Sequence, residues 1–206
     1  NATIVPDDAV LALQPGAHDL VIHGLSLHWA NDPMTQIFQC GQALTPDGLF
    51  LGVTYAGQTL HELRAVLAET EIEMTGGLSP RVLPMAEIRD LGHMLQMAGL
   101  ALPVADTAGG PRYRGHPFGL MRDLRAMGEG NGLREHAGAT PRAYFEKANA
   151  RYSEAYGEGG RIPATFEMVF LTGWAPHESQ QKPLKPGSAT ARLADALGTN
   201  ETKLPD

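Results

Sequence analysis

Among 206 residues, the stretch best equipped for chemistry is His23-Gly24-Leu25-Ser26-Leu27-His28-Trp29, followed by Asn31-Asp32-Pro33. His28 beside Trp29 could accept a proton or wall a cofactor, and it could equally be one of a pair of packed loop rings. Gly24-Leu25-Ser26-Leu27-His28 falls one residue short of a nucleophile elbow, because His28 stands where the second glycine would permit the tight turn. Ser26 is therefore read as a loop hydroxyl. The eight histidines form no H-E-x-x-H pair, and no metal site is expected. Asp7-Asp8 could accept from an exocyclic amine such as adenine's, or could be a solvated turn. Arg112, Arg114, Arg122 and Arg125 gather where they could hold an anion, although exposed helix arginines are common. Neither G-x-G-x-x-G nor a Walker loop is present.

These side chains need a strand to carry them. Leu20-Val21-Ile22 is an unbroken apolar run, which predicts a central strand buried on both faces of a parallel sheet. Asp32 then predicts a helix cap with Pro33 as the first helical residue. In open α/β sheets ligands bind beyond the carboxyl ends of strands, which puts the expected site at residues 23–29. A formal charge of −7 argues against general nucleic-acid binding. The single Cys40 excludes an internal disulfide and fits a reducing, cytoplasmic setting. No apolar run approaches the length of a membrane span. A start at Asn1 with the key strand so near reads as the back part of something longer.

Along the chain, Ala2–Val5 reads as the end of a strand and Pro33–Leu44 as a helix with Cys40 in its core face, closed by a turn at Thr45-Pro46-Asp47-Gly48. Leu49–Tyr55 reads as a second buried strand. A helix over about 60–74 is expected to be capped by Thr59, with Glu62 in capping-box position, and Glu69, Glu71 and Glu73 near its end oppose the macrodipole without visible reason. A helix from about Met85 to Ala98 precedes a strand at Leu100–Val104. The glycine-rich run Ala108–His116 reads as loop. Helices at Pro117–Met127 and from Pro141, capped by Thr140, to Tyr156 form an insertion or lid. Gly128-Glu129-Gly130-Asn131-Gly132 reads as a turn, Thr165–Trp174 as a final strand at an antiparallel sheet edge, and Ala189–Leu197 as a short helical patch.

Asp7-Asp8, Asp19-Leu-Val-Ile, Leu25-Ser-Leu-His-Trp29 with Asn31-Asp32, and Leu44-Thr-Pro-Asp-Gly-Leu-Phe50 resemble the second half of a class I S-adenosylmethionine-dependent methyltransferase. Gly57-x-Thr-Leu-x-Glu-Leu63, Asp90-Leu-Gly-His93, Leu120-Met-x-Asp-Leu124, Met127-Gly-Glu129, Pro163-Ala-Thr165 and His177-Glu-Ser179 resemble, more narrowly, the mitochondrial complex I assembly-factor methyltransferases and their bacterial relatives. The malonyl carrier-protein methyltransferases share the strand and helix pattern but fit the later motifs less well.

The resemblance implies an α/β, Rossmann-like methyltransferase sheet with its last strand antiparallel and a helical insertion. Residues 1–110 would be the later part of the core, 111–160 the insertion or lid, 161–176 the last strand and 177–206 a mobile tail. It also implies S-adenosylmethionine as cofactor, with Asp7 and Asp8 toward adenine, His23, Gly24 and Leu25 at the methionine end, and Trp29 closing the pocket. His28 would be the polar group nearest the acceptor, and Tyr55 and Gly57 would face substrate. The family's glycine-rich loop and ribose-binding acid have no counterpart in these residues, which would weaken cofactor binding. Where the family has an alternating strand, residues 108–111 read Ala-Gly-Gly-Pro. Three functions follow: methyl transfer to a small molecule or protein, modification by hydroxylation of an arginine in a respiratory complex I subunit, or a non-catalytic scaffold.

Overall fold

The structure, a computed structural model, describes residues 2–133, 140–182, 187–188 and 191–199, with the side chains of 111–114 outside that description. The chain divides into two compact units, Asn1–Pro176 and His177–Asp206. In the first, the elements run β1 (His18–Gly24), a 3-10 turn (Leu27–Trp29), α1 (Pro33–Ala43), β2 (Leu44–Tyr55), α2 (His61–Thr75), α3 (Ile88–Met97), β3 (Ala101–Gly115), α4 (Pro117–Met127), α5 (Arg142–Tyr156) and β4 (Ile162–Trp174). The second holds α6 (Leu193–Leu197), and residues 189 and 190 of the expected helical patch fall outside the described residues.

The sheet order is β1-β2-β4-β3, with β1 parallel to β2 and β4 antiparallel to both its neighbours. This is the α/β arrangement expected, with one difference in placement. The last strand is not at the edge but fills the slot between β2 and β3. A hairpin-like return from α5 lets β4 pair on both sides, which explains why so many of its residues are buried.

Asp32 caps α1 as predicted, its carboxylate accepting from Thr35 N at 2.9 Å, with Pro33 at the first helical position. Cys40 lies in the core and its thiol is pushed up to about 12, first by burial and then by the charge of Asp7. One face of the sheet packs on α1 and α3 through Val21, Phe50, Val169, Leu171, Ile37, Leu91 and Leu95. A second core joins α2, α4, α5 and the start of β4, with Leu63, Val66, Leu120, Tyr152 and Ile162 buried.

Among the described residues the opposite sheet face is open along β1 and the middle of β4, while α2 packs on the start of β4. Leu20 and Ile22 share rows with Leu49 and Leu51, and Ile22 is 68% exposed. Val104 and Phe170 continue this apolar surface on β3 and β4. The expected double burial of β1 is therefore corrected: β1 pairs only with β2 among the described residues, and α1 covers one of its faces.

Other boundaries move for local reasons. Ala2–Val5 forms no strand, β2 begins at Leu44 and takes in Thr45–Gly48, and α3 starts at Ile88 rather than Met85. Thr59 does not cap α2: its hydroxyl accepts from Glu167 N and donates to Ala56 O, tying β4 to the end of β2. Glu62 serves the same joint, accepting from Thr165 N and Oγ1. Thr140 accepts from Arg81 Nη1, and α5 is capped by Pro141 without a side-chain bond.

The glycine-rich run expected as loop is strand. Residues 108–115 pair with 162–168 along β4, because Gly109 lets the backbones meet where a side chain could not. A Cβ on Gly109 would lie 2.3 Å from Phe166 O. Gly109→Ala is expected to destabilise the protein by about 1–3 kcal/mol, the range for forced overpacking. Urea unfolding should show a lower midpoint at unchanged slope, and an unaltered midpoint would contradict this pairing.

Candidate functional site

Leu25 turns the chain. It takes a left-handed backbone (φ 51°) directly after β1, and its N–H donates to Val53 O at 2.7 Å. A branched side chain at positive φ is uncommon, and such strain gathers where a fold fixes a functional loop. The turn swings Leu27 into the core and lays His28 against the end of β2.

His28 is held at both nitrogens. Nδ1 lies 3.3 Å from Thr54 Oγ1, which also reaches Tyr55 O. The threonine hydroxyl can donate to Nδ1 or accept from it. Nε2 lies 3.0 Å from a carboxylate oxygen of Glu129, which only accepts, so Nε2 carries a hydrogen. The two form a histidine–carboxylate pair whose side chains are 3% and 15% exposed.

The ring also meets Tyr55 edge-on at 5.2 Å and Trp29 at 5.6 Å, and Tyr55 reaches Phe166 at 5.8 Å. Burial, then the charge of Glu129, hold the Tyr55 phenol above its ordinary range, so it is a hydroxyl donor rather than a base.

Glu129 owes its position to the end of α4. Gly128 adopts a left-handed conformation (φ 84°), and the N–H of Glu129 returns to Leu124 O while that of Gly128 returns to Arg125 O. This paired closure suits glycine and fixes the residue after it. Glu129, Tyr55 and Phe166 border a cavity of about 260 Å³, closed by Leu63, Val82, Leu83, Met121 and Phe145.

A second, wider cavity of about 640 Å³ follows β1 and is bordered by Asp7, His23, Gly24 and Ser26. Asp7 is exposed, and one of its oxygens accepts from Gln36 at 2.9 Å. His23 is buried with Nδ1 unpartnered. Asp8 turns its carboxylate to Ala9 N, and only its backbone carbonyl joins the Gln36 bond set. Leu25 shapes the turn, and Trp29 packs close to Gly132. Gly57 (φ 54°) makes the bend after β2, where a Cβ would strike the Glu167 carboxylate, and it does not border the smaller cavity. Arg122 and Arg125 are exposed on α4, and the side chains of Arg112 and Arg114 lie outside the description.

Sequence reasoning missed Glu129, Thr54 and Gln36. The signal for Glu129 was the Met127-Gly128-Glu129 motif, read as a turn when the glycine sets up a carboxylate. Among the described residues no group of three His, Cys, Asp or Glu is placed to hold a metal ion, and no helix is long and apolar enough to cross a membrane.

No protein-family model matches the chain. It is 40% identical over 196 residues to the mitochondrial arginine-hydroxylase NDUFAF5 of Dictyostelium discoideum, covering 94% of this chain and 45% of that protein. It is 30% identical over 167 residues to the malonyl acyl-carrier-protein O-methyltransferase of Methylovorus sp., covering 81% and 54% respectively. The crystal structure of YcgJ from Bacillus subtilis superposes with a TM-score of 0.51 at 12% identity, over 82% of this chain and 68% of that one. The fold is that of the class I S-adenosylmethionine-dependent methyltransferases. Within it, the chain is related to the NDUFAF5 arginine hydroxylases and to the bacterial malonyl acyl-carrier-protein O-methyltransferases. It spans about half the length of these two curated relatives.

Proposed function

We propose that the chain carries the acceptor side, and one wall of the cofactor site, of an S-adenosylmethionine-dependent methyltransferase whose acceptor is a cationic side chain of a protein. The carrying observation is Glu129: a carboxylate held by a buried histidine on the wall of an aromatic-lined cavity. Such a wall suits a guanidinium, attracted by the charge and by the faces of Tyr55 and Phe166.

When bound, S-adenosylmethionine supplies a methyl group already activated on a sulfonium, and no oxygen atom. The groove along β1 fits such a ligand in its polar groups, with an exposed carboxylate at Asp7 and an unmet acceptor at His23. Asp7, His23 and Gly24 would hold it. The remaining task of the protein is alignment, which Tyr55, His28 and Glu129 serve by fixing the acceptor and excluding water. Proton removal from an acceptor falls to Glu129, which borders the cavity.

Hydroxylation of an arginine in a respiratory complex I subunit is the second reading. The 40% identity to a protein named as an arginine hydroxylase favours it. Titration calorimetry of the full-length protein with S-adenosylmethionine, followed by mass spectrometry of arginine-bearing candidate subunits, tests both. Binding heat with a gain of one methyl group is expected. Gain of one oxygen atom would establish the second reading, and no binding heat at millimolar ligand would leave only a scaffold.

A further inference from the structure

Gln36, on α1, is 4% exposed and belongs to no motif singled out in the sequence. Its amide nitrogen donates to Asp7 Oδ1 at 2.9 Å and to the Asp8 carbonyl at 3.1 Å. Both amide hydrogens are thereby used, which fixes which way the amide faces. Its oxygen lies 3.1 Å from His23 Nε2. An amide oxygen only accepts, so Nε2 carries a ring hydrogen, and the single lone pair of a neutral ring then falls at Nδ1. His23 is 8% exposed, borders the β1 groove, and has no partner at Nδ1.

We propose that Gln36 is a positioning residue that locks His23 in its Nε2–H form, so that Nδ1 accepts from the protonated amine of an amino-acid moiety bound along β1. The same amide steadies Asp7, so one buried side chain sets both polar walls of the groove. An unmet buried acceptor is costly, and a ligand that brings an N–H donor recovers that cost. The ligand's identity as the methionine end of the cofactor rests on the proposed function; the lock on His23 does not.

The test is nitrogen-edited NMR of the protein with isotope-labelled histidine, read without ligand. His23 should show a protonated Nε2 and a bare Nδ1, and S-adenosylhomocysteine should shift Nδ1. Gln36→Leu should release the tautomer, whereas Gln36→Glu, near in shape and able to accept from Nε2, should keep it while displacing Asp7. In calorimetry the wild type should prefer S-adenosylhomocysteine over its analogue lacking the amino group by about tenfold, the value of one such bond. Gln36→Leu should lose that preference. A protonated Nδ1 in the unliganded protein, or an undiminished preference in Gln36→Leu, would overturn the proposal. The expected tautomer with no binding of S-adenosylhomocysteine would overturn the cofactor reading and the ligand half of the proposal, leaving the lock standing.

Discussion

Glu129→Gln is expected to lower kcat/KM by roughly 10²-fold or more, with most of the loss in KM. Truncating the charge of one partner in a buried hydrogen-bonded pair costs about 2–5 kcal/mol in binding systems. Here the lost charge faces two ways, toward His28 at 3.0 Å and toward the cavity wall. The glutamine keeps the shape and can still accept from His28, so the fold should lose only about 1 kcal/mol. A near-normal Tm with a raised KM is therefore the signature of a residue that holds a cationic acceptor. Glu129→Asp should recover part of the loss. Asp123, half-exposed on the same helix, provides the control, and Asp123→Asn should leave both constants unchanged. Equal kcat/KM for wild type and Glu129→Gln would remove Glu129 from the site and the cationic acceptor with it.

Helices α1 and α4 were legible because each announced itself locally. Asp32-Pro33 started α1, Pro117 started α4, and Gly128 ended it, all chemistry within a few residues. The strands gave up their existence but not their neighbours. Leu20-Val21-Ile22 is written for burial on both sides, and nothing in that run shows that the described chain covers one face only. Thr165–Trp174 alternates enough to suggest an edge, yet it lies between β2 and β3, because sheet order depends on long crossovers that residue patterns do not encode. Gly109 and Gly110 suggested a loop by composition. Gly109 serves the close approach of β3 to β4, a reason visible only with both strands in place. The site divides the same way. His23 and Tyr55 could be named from one strand end each, whereas the partner of His28 comes from 101 residues away. Glu69, Glu71 and Glu73, unexplained at the end of α2, find their cations on other elements: Glu71 meets Arg81, and Lys147 and Arg151 of α5 meet Glu73, with Arg151 also reaching Glu69.

Of these pairs the one with most at stake is Glu71–Arg81, and Arg81→Ala is expected to cost about 3 kcal/mol or more at neutral pH. Arg81 reaches Glu71 through Nε at 3.0 Å and Nη2 at 3.2 Å, bonds Thr140, and lies over the Tyr144 ring at 4.4 Å. Burial alone pushes the Glu71 carboxyl up, and it is the largest single influence. The bonds from Arg81 and Ser79, with the charge of Arg81, together outweigh it and hold the group below its ordinary range. A depressed folded value means that the wild-type pair contributes stability above the ordinary carboxyl range and loses it as pH falls through the folded value. Without Arg81 the burial is uncompensated and the sign reverses, so protonation favours the folded variant. The stability gap between wild type and Arg81→Ala should therefore be widest near neutral pH and narrow on acidification below about pH 4, which urea unfolding across that range would show. A gap independent of pH would mean that the loss comes from packing on Tyr144 rather than from the stranded carboxylate. Arg81, Val82 and Leu83 also border the smaller cavity, so the same variant should loosen its wall. A raised KM beyond the fall in folded fraction would connect the Glu71–Arg81 pair to the acceptor that the cavity encloses.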